Sequence, residues 1–302
     1  MFQKKQYICS FGEVLWDIFP SGKLPGGAPM NFAIGTQNLG IPSVMLSRVG
    51  KDELGTALQD FLKSKNCTTD YVQVDEQRAT GIVKVTQATA TGENQYEIVE
   101  NSAWDYMEAT PQACQIVRDA FAIAYGTLSC RNEVSKNALL NLLKNAPLKI
   151  FDVNFRPPFY NRTLVEELMQ PADIVKMNDD ELHIMSSWYG MSKKTAREQM
   201  RYLKNKFRLD KLVVTKGANG ASMIDNSGYH ESKGFKVQVV DTVGSGDAFL
   251  SGFLKSLYFD HVAPQAALKF ACALGALVAT HKGANPIINQ SHIYQIFKQN
   301  EE

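Results

Sequence analysis

The apolar positions change period along the chain, and the changes outline its elements. Residues 7–19 are β-rich and end in the alternation Glu13-Val14-Leu15-Trp16-Asp17-Ile18-Phe19, which predicts one strand with Glu13, Leu15 and Asp17 on a common side. Gly26 and Gly27 with Pro29 then open a helix that runs to Leu39, where Gly40 stops it. A short strand at 44–48 and a helix at 54–63 follow. Residues 79–100 break this rhythm: 81–86 and 96–100 read as strands joined through the turn Thr91-Gly92-Glu93-Asn94, a hairpin standing off the main sheet. Farther on, β-rich runs at 120–125, 149–153, 174–177 and 211–215 are separated by helical stretches such as 133–143. This alternation predicts an α/β fold, a doubly wound, mostly parallel sheet flanked by helices. A last strand at 236–240 meets a helix starting near Asp247, because Phe249, Leu250, Phe253, Leu254 and Leu257 recur on one helical face. With no internal repeat, low-complexity run or linker, 1–302 reads as a single domain carrying a small β lid from about 79–107 plus part of 17–27.

Composition narrows what such a fold can do. Of 302 residues 44% are hydrophobic, enough to bury a large core, and a formal net charge of +1 gives no reason to expect nucleic acid or an acidic membrane surface as partner. The Lys/Arg-rich stretch 193–211 carries Met200, Leu203 and Phe207 at helical spacing and reads as a solvated helix face. No stretch has signal or membrane-spanning length, and the five cysteines are scattered without a C-x-x-C pair. The expectation is a cytoplasmic protein with reduced thiols.

In doubly wound sheets ligands bind beyond the carboxyl ends of the strands. Polar residues gather there: Asp152, Asn154 and Arg156 after one strand; Lys176, Asn178 and Glu181 after another; Thr215, Gly217 and Gly220 after a third. The fourth leads into Asp241-Thr242-Val243-Gly244-Ser245-Gly246-Asp247-Ala248-Phe249. Two glycines around one small residue let backbone N–H groups approach an anion at a helix start, where the dipole is positive. Asp247 beside them is either a general base held ionised by that dipole or an ordinary N-cap. Asp17 reads as a ligand group or as the start of a turn, and Asn31 as a partner for a sugar hydroxyl or for the local backbone. The chain has no G-x-x-x-x-G-K-[ST], no third glycine of a dinucleotide fingerprint, no H-E-x-x-H and no G-x-S-x-G. What is left suits phosphoryl transfer, in which positioning and charge stabilisation supply most of the catalysis.

Together, residues 241–249, Gly26-Gly27-Ala28-Pro29-Met30-Asn31 and the stretch from Arg48 to Gly55 resemble the two signatures of PfkB-type carbohydrate kinases of the ribokinase-like superfamily. The match runs nearly end to end, and Trp16-Asp17-Ile18-Phe19-Pro20 is similar to the fructokinases among them. The resemblance implies a ribokinase-like fold and ATP-dependent transfer of the γ-phosphoryl group to a sugar hydroxyl, D-fructose giving fructose 6-phosphate. Ribose, 2-keto-3-deoxygluconate or a nucleoside is the alternative acceptor, and a sugar- or nucleotide-sensing module without turnover is the alternative of another kind. The resemblance further implies that Asp247 deprotonates the acceptor, that the N–H groups of Gly244, Ser245 and Gly246 stabilise the transferring group, and that Arg156 faces both. Asp17, Gly27 and Asn31 are implied to hold sugar hydroxyls beneath the lid. Lys176, Asn178, Thr215, Gly217 and Gly220 fall on the nucleotide side. Glu181, in the N-x-x-E element, is implied to organise water around Mg²⁺. Asp241, Val243, His281 and Gly283 match a monovalent-cation site, such as one for K⁺, built partly from backbone carbonyls. Cys272 departs from the asparagine or histidine that relatives often place beside the adenine. The implied partners are a small-molecule sugar and a nucleotide, with a homodimer formed through the lid.

Overall fold

The computed structural model describes residues 7–87, 94–288 and 290–299. It opens with β1 (Ile8–Phe11) and β2 (Leu15–Phe19), where the alternation predicts a single strand. Gly12 separates them: its φ of +149° favours glycine, and a Cβ there would lie 2.5 Å from Pro29 Cγ. The chain therefore leaves one sheet at Gly12 and enters another at Leu15. After β3 (Gly22–Gly26) comes α1 (Ala28–Asn38), with Pro29 in its first turn, then β4 (Ser43–Gly50) and α2 (Glu53–Ser64), whose N-cap Asp52 accepts from Gly55 N–H. β5 (Val72–Asp75) precedes the expected hairpin of β6 (Gly81–Gln87) and β7 (Asn94–Ile98), which aligns Val83 with Ile98 and Val85 with Tyr96. The turn expected at 91–94 lies, up to residue 93, outside the described residues.

Strands and helices then alternate through α3 (Pro111–Asp119), β8 (Ala122–Gly126), α4 (Glu133–Leu143), β9 (Lys149–Asp152), α5 (Arg162–Met169), β10 (Ile174–Asn178), α6 (Asp179–Ser187) and α7 (Ala196–Phe207). Next are β11 (Lys211–Thr215), β12 (Ala221–Ile224), β13 (Tyr229–Ser232), α8 (Ser245–Leu254), α9 (Pro264–Ala279) and α10 (Gln290–Gln299). The large sheet has the order β13-β12-β11-β10-β9-β8-β1-β4-β5, parallel except where β12 runs against β11 and β13. A second sheet, β3-β2-β6-β7, joins the hairpin to the strands on either side of residue 20.

Successive strand residues feed opposite layers, as a period of two requires. On β8, β10 and β11, Ala124, Ile174 and Val213 pack with Phe249, Phe253 and Leu274 of α8 and α9, while Tyr125, Val175 and Val214 pack with Leu139, Leu168 and Leu203 of α4, α5 and α7. With both faces covered, the core strands are short continuous apolar runs. Met200, Leu203 and Phe207 of α7 are buried and Arg197, Arg201 and Lys206 face outward, as the helical spacing predicts, whereas Lys204 is buried and donates to Asn226 Oδ1 at 2.8 Å. The strand predicted at 236–240 does not form. β13 already holds the sheet edge, and the segment instead runs to the end of α9, where Val240 N–H donates to Ala279 O at 2.8 Å, leaving Val239 and Val240 59% and 61% exposed. Among the described residues no helix is long and apolar enough to cross a membrane.

Candidate active site

Strand order reverses between β1 and β8, so the chains leaving their carboxyl ends diverge and open a crevice there. Two cavities occupy this end of the sheet. One, of about 540 Å³, lies between the switch point and the small sheet and is lined by Glu13, Asp17, Asn31, Arg156, Lys176 and Asp247 among others. The other, of about 430 Å³, is lined mainly by apolar side chains such as Phe235, Val237, Phe249, Cys272 and Ala276. Thr242 and Gly246 line both, so the cavities meet at the start of α8.

That junction is a glycine turn for a physical reason. Gly244, the N-cap of α8, has φ +80°, and a Cβ on it would lie 2.5 Å from Ala284 Cβ in the loop after α9. Ser245 N–H turns back to Thr242 O at 3.2 Å, and the first bond running down the helix is from Ala248 N–H to Gly244 O at 2.9 Å. Ser245 Oγ is buried without a partner. The positive end of α8 thus faces the seam between the cavities.

Asp247 sits in the first turn of α8, and its Oδ2 accepts from Asn31 Nδ2 at 3.0 Å. Burial pushes its carboxyl up to about 6; Asp152 adds to the rise, while Lys176, the Asn31 amide and Arg156 oppose it. Lys176 reaches in from β10 with Nζ 3.0 Å from each oxygen of Asp152, close to where a Gly246 Cβ would stand. Burial pulls the Lys176 ammonium down, but Asp152, Glu181 and Asp247 raise it above its ordinary value, so it stays charged. Arg156 is exposed to the cavity and donates to Phe155 O at 2.9 Å. Burial pushes Asp17 up to about 6 against the pull of Arg156.

The structure brings Asp17, Gly27, Asn31, Arg156, Lys176, Val243, Gly244, Gly246 and Asp247 to the polar cavity, and Thr215, Gly217, Gly220 and Ser245 to the apolar one. Asn178 and Glu181 line neither. They form a reciprocal cap on α6: Asn178 Oδ1 accepts from Glu181 N–H at 2.8 Å and Glu181 Oε2 from Asn178 N–H at 2.7 Å. Glu181 Oε1 accepts from Phe155 N–H at 2.8 Å, which ties α6 to the loop bearing Arg156. Asp241 bridges two loops, accepting from Val243 N–H and Gly283 N–H at 3.0 Å each. His281 is occupied at the end of α9, its Nδ1 3.0 Å from both Thr280 Oγ1 and Leu277 O.

Glu13 was not singled out by the motifs, yet it is 3% exposed on the floor of the polar cavity, and its Oε2 has no partner. Burial pushes it up to about 7; nearby backbone N–H groups and Arg156 oppose the rise and Asp247 adds to it. The available signal is the alternation that puts Glu13 on the side of Asp17. Asn154, also on this cavity, holds φ +42°.

The family model of pfkB family carbohydrate kinases matches residues 3–290. The chain is 31% identical to the probable fructokinase-6, chloroplastic, of Arabidopsis thaliana, over 95% of this chain and 80% of that protein. It is also 31% identical to fructokinase-2 of Solanum habrochaites, over 93% and 92%. The fold matches a fructokinase from Xylella fastidiosa crystallised with bound ATP, with a TM-score of 0.86 over 99% of this chain and all of that one, at 24% identity. The chain with this two-cavity site belongs to the pfkB family of carbohydrate kinases.

Proposed function

We propose that the protein transfers the γ-phosphoryl group of ATP to a hydroxyl of a neutral sugar, with D-fructose as acceptor and fructose 6-phosphate as product. The observation that carries this reading is the position of Asp247, in the first turn of α8 where the polar and apolar cavities meet. A sugar in the polar cavity and a nucleotide in the apolar one, its phosphates over the glycine turn, bring hydroxyl, base and phosphorus together. Asp247, largely ionised at neutral pH, takes the hydroxyl proton. The acceptor oxygen forms its bond to the γ-phosphorus as the bond from that phosphorus to the β–γ bridging oxygen breaks, and ADP leaves. The start of α8, Lys176 and Arg156 hold the charge that spreads over the transferring group.

Among the described residues no group of three or more His, Cys, Asp or Glu side chains could hold a metal unaided. Glu181, whose oxygens each keep a lone pair beyond their backbone bonds, would act on a phosphate-bound Mg²⁺ by accepting from its water. Bound there, the ion would neutralise phosphate charge. Asp241 supplies negative charge between Val243 and Gly283 for a monovalent cation such as K⁺.

Charge supports a neutral acceptor. The cations on the polar cavity are Arg156 and Lys176, the latter already on Asp152, while Arg78 and Lys84 near the small sheet pair with Asp75 and Glu97. The fructokinase relatives support fructose. Incubation with Mg-ATP and a panel of fructose, ribose, 2-keto-3-deoxygluconate and a nucleoside, followed by ADP release and NMR of the product, tests the reading. ADP release with fructose and phosphate on carbon 6 are expected. No release with fructose overturns the substrate, and phosphate on carbon 1 overturns the regiochemistry.

A further inference from the structure

Asn31 has two ends of opposite polarity on a nearly symmetric amide. Its Nδ2 donates to Asp247 Oδ2 at 3.0 Å, and its Oδ1 accepts from Asn285 Nδ2 at 2.9 Å. The NH₂ end stabilises a carboxylate, whereas the carbonyl end repels it. Asn31 is 6% exposed, so bulk water does not decide which end faces the base. Asn285 presents a donor to one end only. It stands in the loop after α9, next to Ala284, which packs on Gly244, and close to Gly283, whose N–H is held by Asp241.

We propose that Asn285 is a positioning residue for phosphoryl transfer, fixing the Asn31 amide in the orientation that donates to Asp247. The inference rests on the kinase reading above, with Asp247 as base. It makes the loop that touches the glycine turn also set the basicity of the group that takes the proton. Without the Asn285 donor, Asn31 is free to turn its carbonyl toward Asp247, and the protonated form of Asp247 gains. The other charged groups facing Asp247 come from different elements: Glu13 after β1, Asp152 at the end of β9, Arg156 in the following loop and Lys176 on β10. None is bonded to Asn285 among the contacts of the described residues, so an uncharged change at 285 reaches the base through Asn31.

The test is the pH dependence of kcat/KM for ADP release, in Asn285→Leu and Asn285→Asp, with unfolding midpoints measured alongside. Activity falls as pH drops through the pKa of the base, so a raised pKa moves the acid limb to higher pH. Asn285→Leu is expected to move it up by about one unit, a loss of about tenfold on the acid side that disappears above the limb. Asn285→Asp only accepts, draws the Asn31 NH₂ toward itself and moves the limb farther, in part by its own charge; being nearly isosteric, it carries the test if the leucine variant unfolds, read as the part of the shift that needs Asn31. In an Asn31→Ala background Asn285→Leu should leave the limb in place, and Asn285→Asp should move it only by the part due to its own charge. An unmoved limb, a loss equal at every pH, or the same shift without Asn31 overturns the proposal. Wild-type protein that releases no ADP with any sugar overturns the kinase reading itself, and the positioning role with it, before any variant is made.

Discussion

The two cavities that meet at Thr242 and Gly246 are built in opposite ways. Beneath the small sheet the walls carry Glu13, Asp17 and Asp247, three carboxyls that burial raises to about 7, 6 and 6, with Arg156 and Lys176 opposite. Beside α9 the walls are Phe235, Val237, Phe249, Cys272 and Ala276, packed much like the core behind them. Burying carboxyls without full pairing is costly, and this fold confines that cost to the side where a proton must move. The other side only has to hold an apolar-faced ligand. Changes on the polar side should therefore reach turnover, changes on the apolar side nucleotide affinity, and changes at the shared turn both.

The sharpest attempt to break this division is Asp247→Asn, which keeps the shape of the side chain and removes the base. It is expected to lower kcat by roughly 10²–10⁴-fold while nucleotide Kd, measured by calorimetry, stays within about twofold. Turnover near the wild-type level would remove Asp247 from its role. Gly244→Ala comes next, because φ +80° and the approach of Ala284 both reject a Cβ at the seam. Strain of about 1–3 kcal/mol at the turn should lower kcat/KM roughly ten- to hundredfold for nucleotide and sugar alike. An effect confined to one substrate would show that the cavities do not share the turn.

Glu13→Gln should have a smaller effect, and of two signs. Because the folded pKa of Glu13 is raised, the stability it contributes is fully present below its ordinary value near 4.3 and is lost as pH rises through about 7. A neutral glutamine removes that loss. Unfolding at pH 8 should become more difficult by on the order of 3 kcal/mol, with little change at pH 4, while the sugar KM rises several-fold. Equal stabilisation at both pH values would mean that Glu13 is not held against its charge. Opposite movements of stability and sugar affinity would instead place Glu13 at the acceptor.

The layers of the fold are legible in the sequence because both faces of the large sheet are covered, which turns each core strand into a short apolar run between amphipathic helices. Residues 211–215 and 133–143 fall on β11 and α4 residue for residue. Where local pattern misleads, a distant contact decides. Residues 7–19 alternate as one strand, but Pro29 packed on Gly12 turns the chain between sheets. Val237 and Val239 alternate as a strand should, yet β13 fills the edge and they border a cavity instead. The same limit holds in the site. A glycine turn before a helical face marks the surroundings of Asp247, since that chemistry is local. The burial of Glu13 depends on which elements pack over it, and the bond from Asn285 to Asn31 spans 254 positions, so neither leaves a local signal.

The smallest expected effect tests the apolar side. Cys272 is 8% exposed on α9, and burial pushes its thiol up to about 11, so at neutral pH it is an uncharged, weakly nucleophilic filler of the cavity wall. Cys272→Val keeps volume and polarity close to the original, and the nucleotide KM should move by less than about threefold, with sugar KM and kcat unchanged. Cys272→Asp puts a charge into the same wall with no partner, and should raise the nucleotide KM more than about tenfold while still sparing the sugar KM. The pair separates two accounts of this cavity. If the wall acts by apolar contact alone, only the aspartate matters. If the valine also weakens the nucleotide markedly, Cys272 makes a polar contact with it, and if either variant shifts the sugar KM, the seam at Gly246 transmits changes that the two-cavity division says it should not.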